Sequence, residues 1–130
     1  MFKILATHVA VDVEDLQATM HYLDDVVGLK ELREVNRPNV RVVWYPGLEL
    51  AQAKPDSAPG IVKHVAWEVD DILSAIRDLK AQGVSFEGDE PRQIETAVVS
   101  THQRVRYVFL TTPVGLRGEL VQVDPPPASA

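Results

Sequence analysis

Residues 8–16 read His-Val-Ala-Val-Asp-Val-Glu-Asp-Leu, and residues 64–72 read His-Val-Ala-Trp-Glu-Val-Asp-Asp-Ile. The chain states nearly the same phrase twice. A second echo follows, with Glu49-Leu50-Ala51-Gln52 matched by Glu119-Leu120-Val121-Gln122. Each half therefore opens with a histidine on a strand-like run and closes with a glutamate on another. Self-similarity of this kind marks a duplicated supersecondary unit. Two imidazoles and two carboxylates at repeat-equivalent positions can converge, across a pseudo-twofold axis, on one divalent metal ion.

Outward from the first phrase, residues 5–13 alternate, with Val9, Val11 and Val13 on one side and His8, Ala10 and Asp12 on the other. Alternation with β-branched enrichment predicts a strand. Its valine face is the seat for a helix over residues 14–27, where Leu16, Met20, Leu23 and Val27 recur at helical spacing and Gly28 is the stop. Short strands follow around 30–35, 40–45 and 48–53. Residues 54–60, Lys-Pro-Asp-Ser-Ala-Pro-Gly, are loop chemistry. The cycle then restarts with a strand at 62–69 and a helix at about 71–82, its buried stripe formed by Ile72, Ile76 and Leu79. Strands are predicted near 84–87, 96–99, 104–111 and 117–123. The expected fold is α+β: a first βαβββ module over 1–53, a linker over 54–61, a second βαβββ module over 62–123, and a disordered proline-rich tail over 124–130.

Strand alternation puts His8, Ala10 and Asp12 on the face away from the helix, and His64, Ala66 and Glu68 on the same face of the second half. The closing strands carry Glu49, Ala51 and Ala53, and Glu119, Val121 and Val123. If the sheets curl into a cup, His8, Glu49, His64 and Glu119 line it, and the small alanines leave space. An inward glutamate is costly unless it is paired or metal-bound. Imidazole and carboxylate together suit a divalent ion such as Zn, Ni, Fe, Mn or Co. Four protein ligands on a six-coordinate ion leave two positions open, as catalysis requires.

The 130 residues fit one domain, with 45% hydrophobic and 25% charged residues. The absence of cysteine excludes disulfides, thiolate metal sites and a cysteine nucleophile. A net charge of -6 argues against a nucleic-acid partner. The N-terminus shows no export signal and no apolar run has membrane-spanning length, so a cytoplasmic protein with a small-molecule partner is expected.

These phrases resemble the vicinal oxygen chelate superfamily, the glyoxalase / bleomycin resistance / extradiol dioxygenase family. His8 through Leu16 resembles its first strand and helix start, and Tyr22 through Val27-Gly28-Leu29 resembles the end of its first helix. Lys63-His64-Val-Ala-Trp67 resembles the start of its second module. Thr112-Pro113-Val-Gly115 leading to Gly118-Glu119-Leu-Val-Gln122 resembles its closing hairpin. The resemblance implies paired βαβββ modules forming a metal-holding cup, with His8, Glu49, His64 and Glu119 on the four ligand positions, and a homodimer. It implies a metal-dependent lyase or isomerase that chelates vicinal oxygens of a small carbonyl or carboxylate substrate and stabilises an enediolate. Glu49 or Glu119 would move the proton. Two alternatives in the family are an Fe(II) ring-cleaving dioxygenase and a metal-free drug-binding protein. Asp12 departs from the arginine-bearing pattern of glyoxalase I, and Glu49 from the glutamine of methylmalonyl-CoA epimerase relatives.

Further candidates are Asp12 and Glu68 as contacts to a polar substrate, and Arg104 and Arg106 as receivers of an anionic one. Arg41 could serve likewise or sit on a solvated face. His102 is expected in a loop before the strand at 104–111, and His21 as a structural residue in mid-helix. Trp44 and Trp67 read as core or dimer contacts.

Overall fold

The computed structural model describes residues 2–37, 40–88, 90–98, 101–112 and 116–125, with the side chains of residues 36, 37, 93–98, 101 and 102 excepted. The first half runs β1 (Ile4–Val13), α1 (Leu16–Tyr22), β2 (Arg33–Arg37), β3 (Val40–Tyr45) and β4 (Leu48–Gln52). The second runs β5 (Val62–Val69), α2 (Ile72–Ala81), β6 (Ser85–Phe86), β7 (Arg92–Val98), β8 (Thr101–Thr111) and β9 (Arg117–Val123). The mixed α+β expectation holds, and the strand expected near 84–87 is the two-residue β6. His102 lies within β8 rather than in a loop, because β8 begins early and pairs Ala97 with His102. Residues 113–115 of the closing motif and 126–130 of the tail lie outside the described residues.

One nine-stranded sheet runs in the order β6-β8-β7-β2-β3-β4-β1-β5-β9 and curls until β8 also pairs with β9. β1 is parallel to β4 and β5 is parallel to β9, as the crossover through each helix requires. The two halves meet along antiparallel β1 and β5, where Val9 pairs with Val65, its own counterpart in the repeat. The pseudo-twofold axis therefore passes through that pair. On either side of it His8 faces Ala66 and Ala10 faces His64.

Both helices pack outside the curl. α1 covers Val43, Tyr45 and Leu50 through Leu16 and Met20, with Val11 and Val13 beside them. α2 covers Val69, Val108, Leu110 and Leu120 through Ile72, Ala75 and Ile76, with Leu79 packed against the cluster. Each helix starts on an aspartate whose side chain accepts a backbone N–H, Asp15 from Ala18 and Asp71 from Ser74. A second acceptor comes from the closing strands: Gln52 Oε1 takes Leu16 N–H at 2.8 Å and Gln122 Oε1 takes Ile72 N–H at 2.7 Å. The repeated Glu-x-x-Gln phrase thus ties each closing strand to its own helix. The first helix departs from its predicted course. After Tyr22 it widens into a π-helical turn over Leu23–Val27 and ends at Gly28, φ 84°. The wider turn rotates Val27 off the apolar stripe, and it is 53% exposed instead of buried.

Candidate metal centre

The inner face of the curl is built in rows. In one row Trp44 lies opposite Glu49, Glu49 beside Ala10, and Ala10 opposite His64. In its pseudo-symmetric partner Phe109 lies opposite Glu119, Glu119 beside Ala66, and Ala66 opposite His8. Small alanines next to the twofold axis leave the longer side chains room to reach one another. Among the described residues, the buried polar or charged side chains are His8, Glu49, His64 and Glu119. These are the four that the repeat singles out.

Their donor atoms converge. One ligand atom each from His8, Glu49 and Glu119 lies within 4.8 Å of the other two. His64 Nε2 stands 3.5 Å from Glu49 Oε2 and 3.6 Å from Glu119 Oε1. Trp44 Nε1 donates to Glu49 Oε1 at 2.9 Å. The His8 ring packs 4.8 Å from that of Trp44, and the His64 ring lies edge-on to Phe109 at 5.0 Å. Burial pulls the His8 imidazole down to about 4, opposed by the charge of Glu119 and reinforced by His64 and Arg33. His8 is therefore neutral near pH 7, the form that ligates a metal. Its Nε2 is buried without a hydrogen-bond partner among the described residues. A buried nitrogen lone pair with carboxylate oxygens in reach, in a two-nitrogen, two-oxygen donor set, fits a borderline divalent cation.

A cavity of about 470 Å³ opens beside this cluster, lined in part by Glu49, His64, Ala10, Ala51, Ala53, Val42 and Phe109. Asp12, Arg41, Lys54, Lys63 and Arg117 are at its polar margin. Asp12 accepts Lys63 Nζ at 2.7 Å, Arg41 is bonded to Glu34, and Arg117 makes two bonds to Glu87 while lying over Phe109. Of the four predicted substrate contacts, Asp12 alone lines this cavity. Glu68 shares the inner face but lies across the twofold axis, opposite Ala6. Arg104 and Arg106 alternate with inward Val105 and Tyr107, so they face outward, and Arg106 bonds to Asp124 Oδ1 at 3.1 Å. His21 is exposed and bonded to Asp25, away from the cluster.

The sequence reads Trp44 as a core or dimer contact; the structure buries it and adds its link to Glu49. The hairpin through Pro46-Gly47 was the available signal, since it sets the two residues opposite each other. Lys63 and Arg117 were also missed, although each stands next to a predicted ligand or two residues from one.

The family model described as Glyoxalase/Bleomycin resistance protein/Dioxygenase superfamily matches residues 7–99. No curated protein matches the chain. Among solved structures, a hypothetical protein from Bacillus halodurans C-125 is 19% identical with a TM-score of 0.70, covering 99% of both chains. A single-site variant of Streptomyces coelicolor methylmalonyl-CoA epimerase, in complex with 2-nitronate-propionyl-CoA, is 23% identical with a TM-score of 0.69, covering 94% of this chain and 98% of its own. The Mycobacterium tuberculosis methylmalonyl-CoA epimerase is 20% identical with a TM-score of 0.69, covering 94% and 90%. With more than half its length matched and the duplicated curl in place, the chain belongs to the Glyoxalase/Bleomycin resistance protein/Dioxygenase superfamily.

Proposed function

We propose that this chain is a metal-dependent enzyme of the lyase or isomerase kind, acting on a small carbonyl or carboxylate substrate with adjacent oxygens. The observation that carries the reading is the convergence of His8, Glu49, His64 and Glu119 as buried side chains on one inner face. These four would hold a divalent ion, with Zn, Ni, Fe, Mn and Co the candidates. Such an ion supplies Lewis acidity toward two neighbouring substrate oxygens, making the adjacent C–H more acidic.

The chain's own residues do the rest. Ala10, Ala51 and Ala53 leave a space beside the donors for a small molecule. Phe109 and Val42 give it apolar walls that keep water from the reacting carbon. Glu49, which lines that space, or Glu119, 3.6 Å from His64 Nε2 behind it, would accept a proton and return it. Lys54 stands at the margin of the cavity, with Lys63 and Arg117 beside it in ion pairs with Asp12 and Glu87, and this edge would receive an anionic substrate. The fold likeness to methylmalonyl-CoA epimerases, one of them in complex with methylmalonyl-CoA and ammonium, agrees with an isomerisation next to a carbonyl. A homodimer is part of the reading, supported by the exposed apolar side chains of Ile4, Leu5, Ile61 and Val62. Sedimentation of the purified protein checks it.

The deciding experiment is elemental analysis of protein purified without added ions, followed by reloading with Zn, Ni, Co, Mn or Fe(II). About one ion per chain is expected, with the content falling sharply in H8A and H64A. Loaded protein should then catalyse deuterium uptake from heavy water beside the carbonyl of a substrate in a panel of small 2-oxo and 1,3-dicarbonyl acids. A folded chain that takes up none of these ions sinks the proposal.

A further inference from the structure

The repeat is broken at one place that touches the donor cluster. Trp44 stands opposite Glu49, and its indole N–H donates to Glu49 Oε1 at 2.9 Å in buried surroundings. The equivalent position opposite Glu119 is Phe109, whose ring carries no donor. The other oxygen of Glu49, Oε2, lies 3.5 Å from His64 Nε2. The carboxylate is thus divided, one oxygen on the indole and the other among the donors. The same indole packs 4.8 Å from the His8 ring, and the Arg33 guanidinium lies over it at 5.2 Å. Trp44 is 4% exposed, so it has little freedom to release the contact.

Resting on the metal reading above, we infer that Trp44 is a positioning residue for the divalent ion. It holds Glu49 by Oε1, leaves Oε2 as the oxygen available to the ion, and so makes Glu49 a fixed one-oxygen ligand. The physical ground is that a hydrogen bond to an ionised carboxylate in a buried setting is strong and directional, and that partners behind a ligand set its orientation and hence the metal affinity.

The test uses the full chain and its two tryptophans, Trp44 and Trp67. Titration with Zn and Co(II) should show W44F weakened by roughly ten- to a hundredfold, the usual effect of removing a partner behind a ligand, and W67F within about twofold of the parent by the same standard. The visible spectrum of Co(II)-loaded W44F should differ from that of the parent, because a released Glu49 can offer both oxygens. A general loosening of the fold would weaken binding without that spectral change. A second measurement does not depend on W44F folding. In W67F the single indole N–H resonance belongs to Trp44, and it should be protected from solvent exchange and shift when Zn is added. Equal affinity and an unchanged Co(II) spectrum in W44F, or an indole resonance that exchanges freely and ignores Zn, overturns the inference. If the parent itself takes up no ion, the metal reading falls and the positioning role with it, whereas binding by the parent and W44F alike removes only the positioning role.

Discussion

Gly118 shows how tightly the outer core packs behind the strand that carries Glu119. A Cβ at Gly118 would lie 2.6 Å from Trp67 Cζ3 and 3.0 Å from Leu110 Cδ1. The obstacle is an aromatic ring packed against the outer core, not the end of a flexible side chain, so the ring or the strand must move. G118A is expected to lose about 1–3 kcal/mol in denaturant unfolding, the usual cost of overpacking. His8 brings a pH dependence at the same scale. Its folded value of about 4 lies below the ordinary 6.5, so between them the unfolded chain binds more protons than the folded one. Through His8 the metal-free protein should therefore lose stability as pH falls from about 6.5 to about 4, by roughly 3 kcal/mol at most, and this contribution levels off below. Near pH 7 His8 is neutral in both states and this contribution is flat. Unfolding of the parent and H8Q across that window checks the sign: the parent should show the steeper slope, and equal slopes would rule His8 out as its source.

Each helix is anchored to its closing strand by a glutamine, and these contacts were written in the repeat before the structure explained them. Glu and Gln three positions apart on a strand face opposite sides, so Glu49 and Glu119 turn inward while Gln52 and Gln122 turn out to the helix starts. Q122A removes the bond to Ile72 and a second from Gln122 Nε2 to Asp124 Oδ1, should cost about 1–2 kcal/mol, and should speed amide exchange at Ile72. An unchanged exchange rate there would mean that Asp71 alone secures the helix start. The sequence disclosed the duplication, both helices, the strands bearing the histidines and glutamates, and the inward face of β1, β4, β5 and β9, because apolar alternation and a neighbouring helix decide those faces locally. It was silent where long-range pairing decides. Arg104 and Arg106 alternate with Val105 and Tyr107 equally well in either orientation, and only the pairing of β8 with β9 turns Tyr107 toward Val121 and the arginines out. Val27 was misplaced because a π-helical turn leaves no mark in a stripe spaced for an α-helix.

Across the whole molecule the pseudo-twofold axis relates the two ends of the curl, and the cavity beside the donors opens at the Asp12 end. The reason is side-chain volume in equivalent rows. At the Asp12 end the inward row is Val42, Ala51 and Asp12; at the Glu68 end it is Tyr107, Val121 and Glu68. One step further out, Ala53 corresponds to Val123 in the repeat. Tyr107, Val121 and Val123 pack with Val105, whereas Ala51 and Ala53 line the cavity of about 470 Å³. The repeat thus supplies a symmetric donor set, and divergence in these flanking rows opens space beside it at the Asp12 end. Giving the Asp12 end the valines of the equivalent row tests this directly. The A51V/A53V protein keeps all four donors, so its Zn and Co(II) affinities should stay within about twofold of the parent, given that no donor or partner behind a donor is touched. Its affinity, once loaded, for oxalate, a small probe with two adjacent oxygens, should fall roughly tenfold or more, since overpacking a site by a few methyl groups costs about 1–3 kcal/mol. Loss of metal binding in this variant would mean that the alanines support the donors themselves, and unchanged oxalate binding would mean that the substrate reaches the centre by another route.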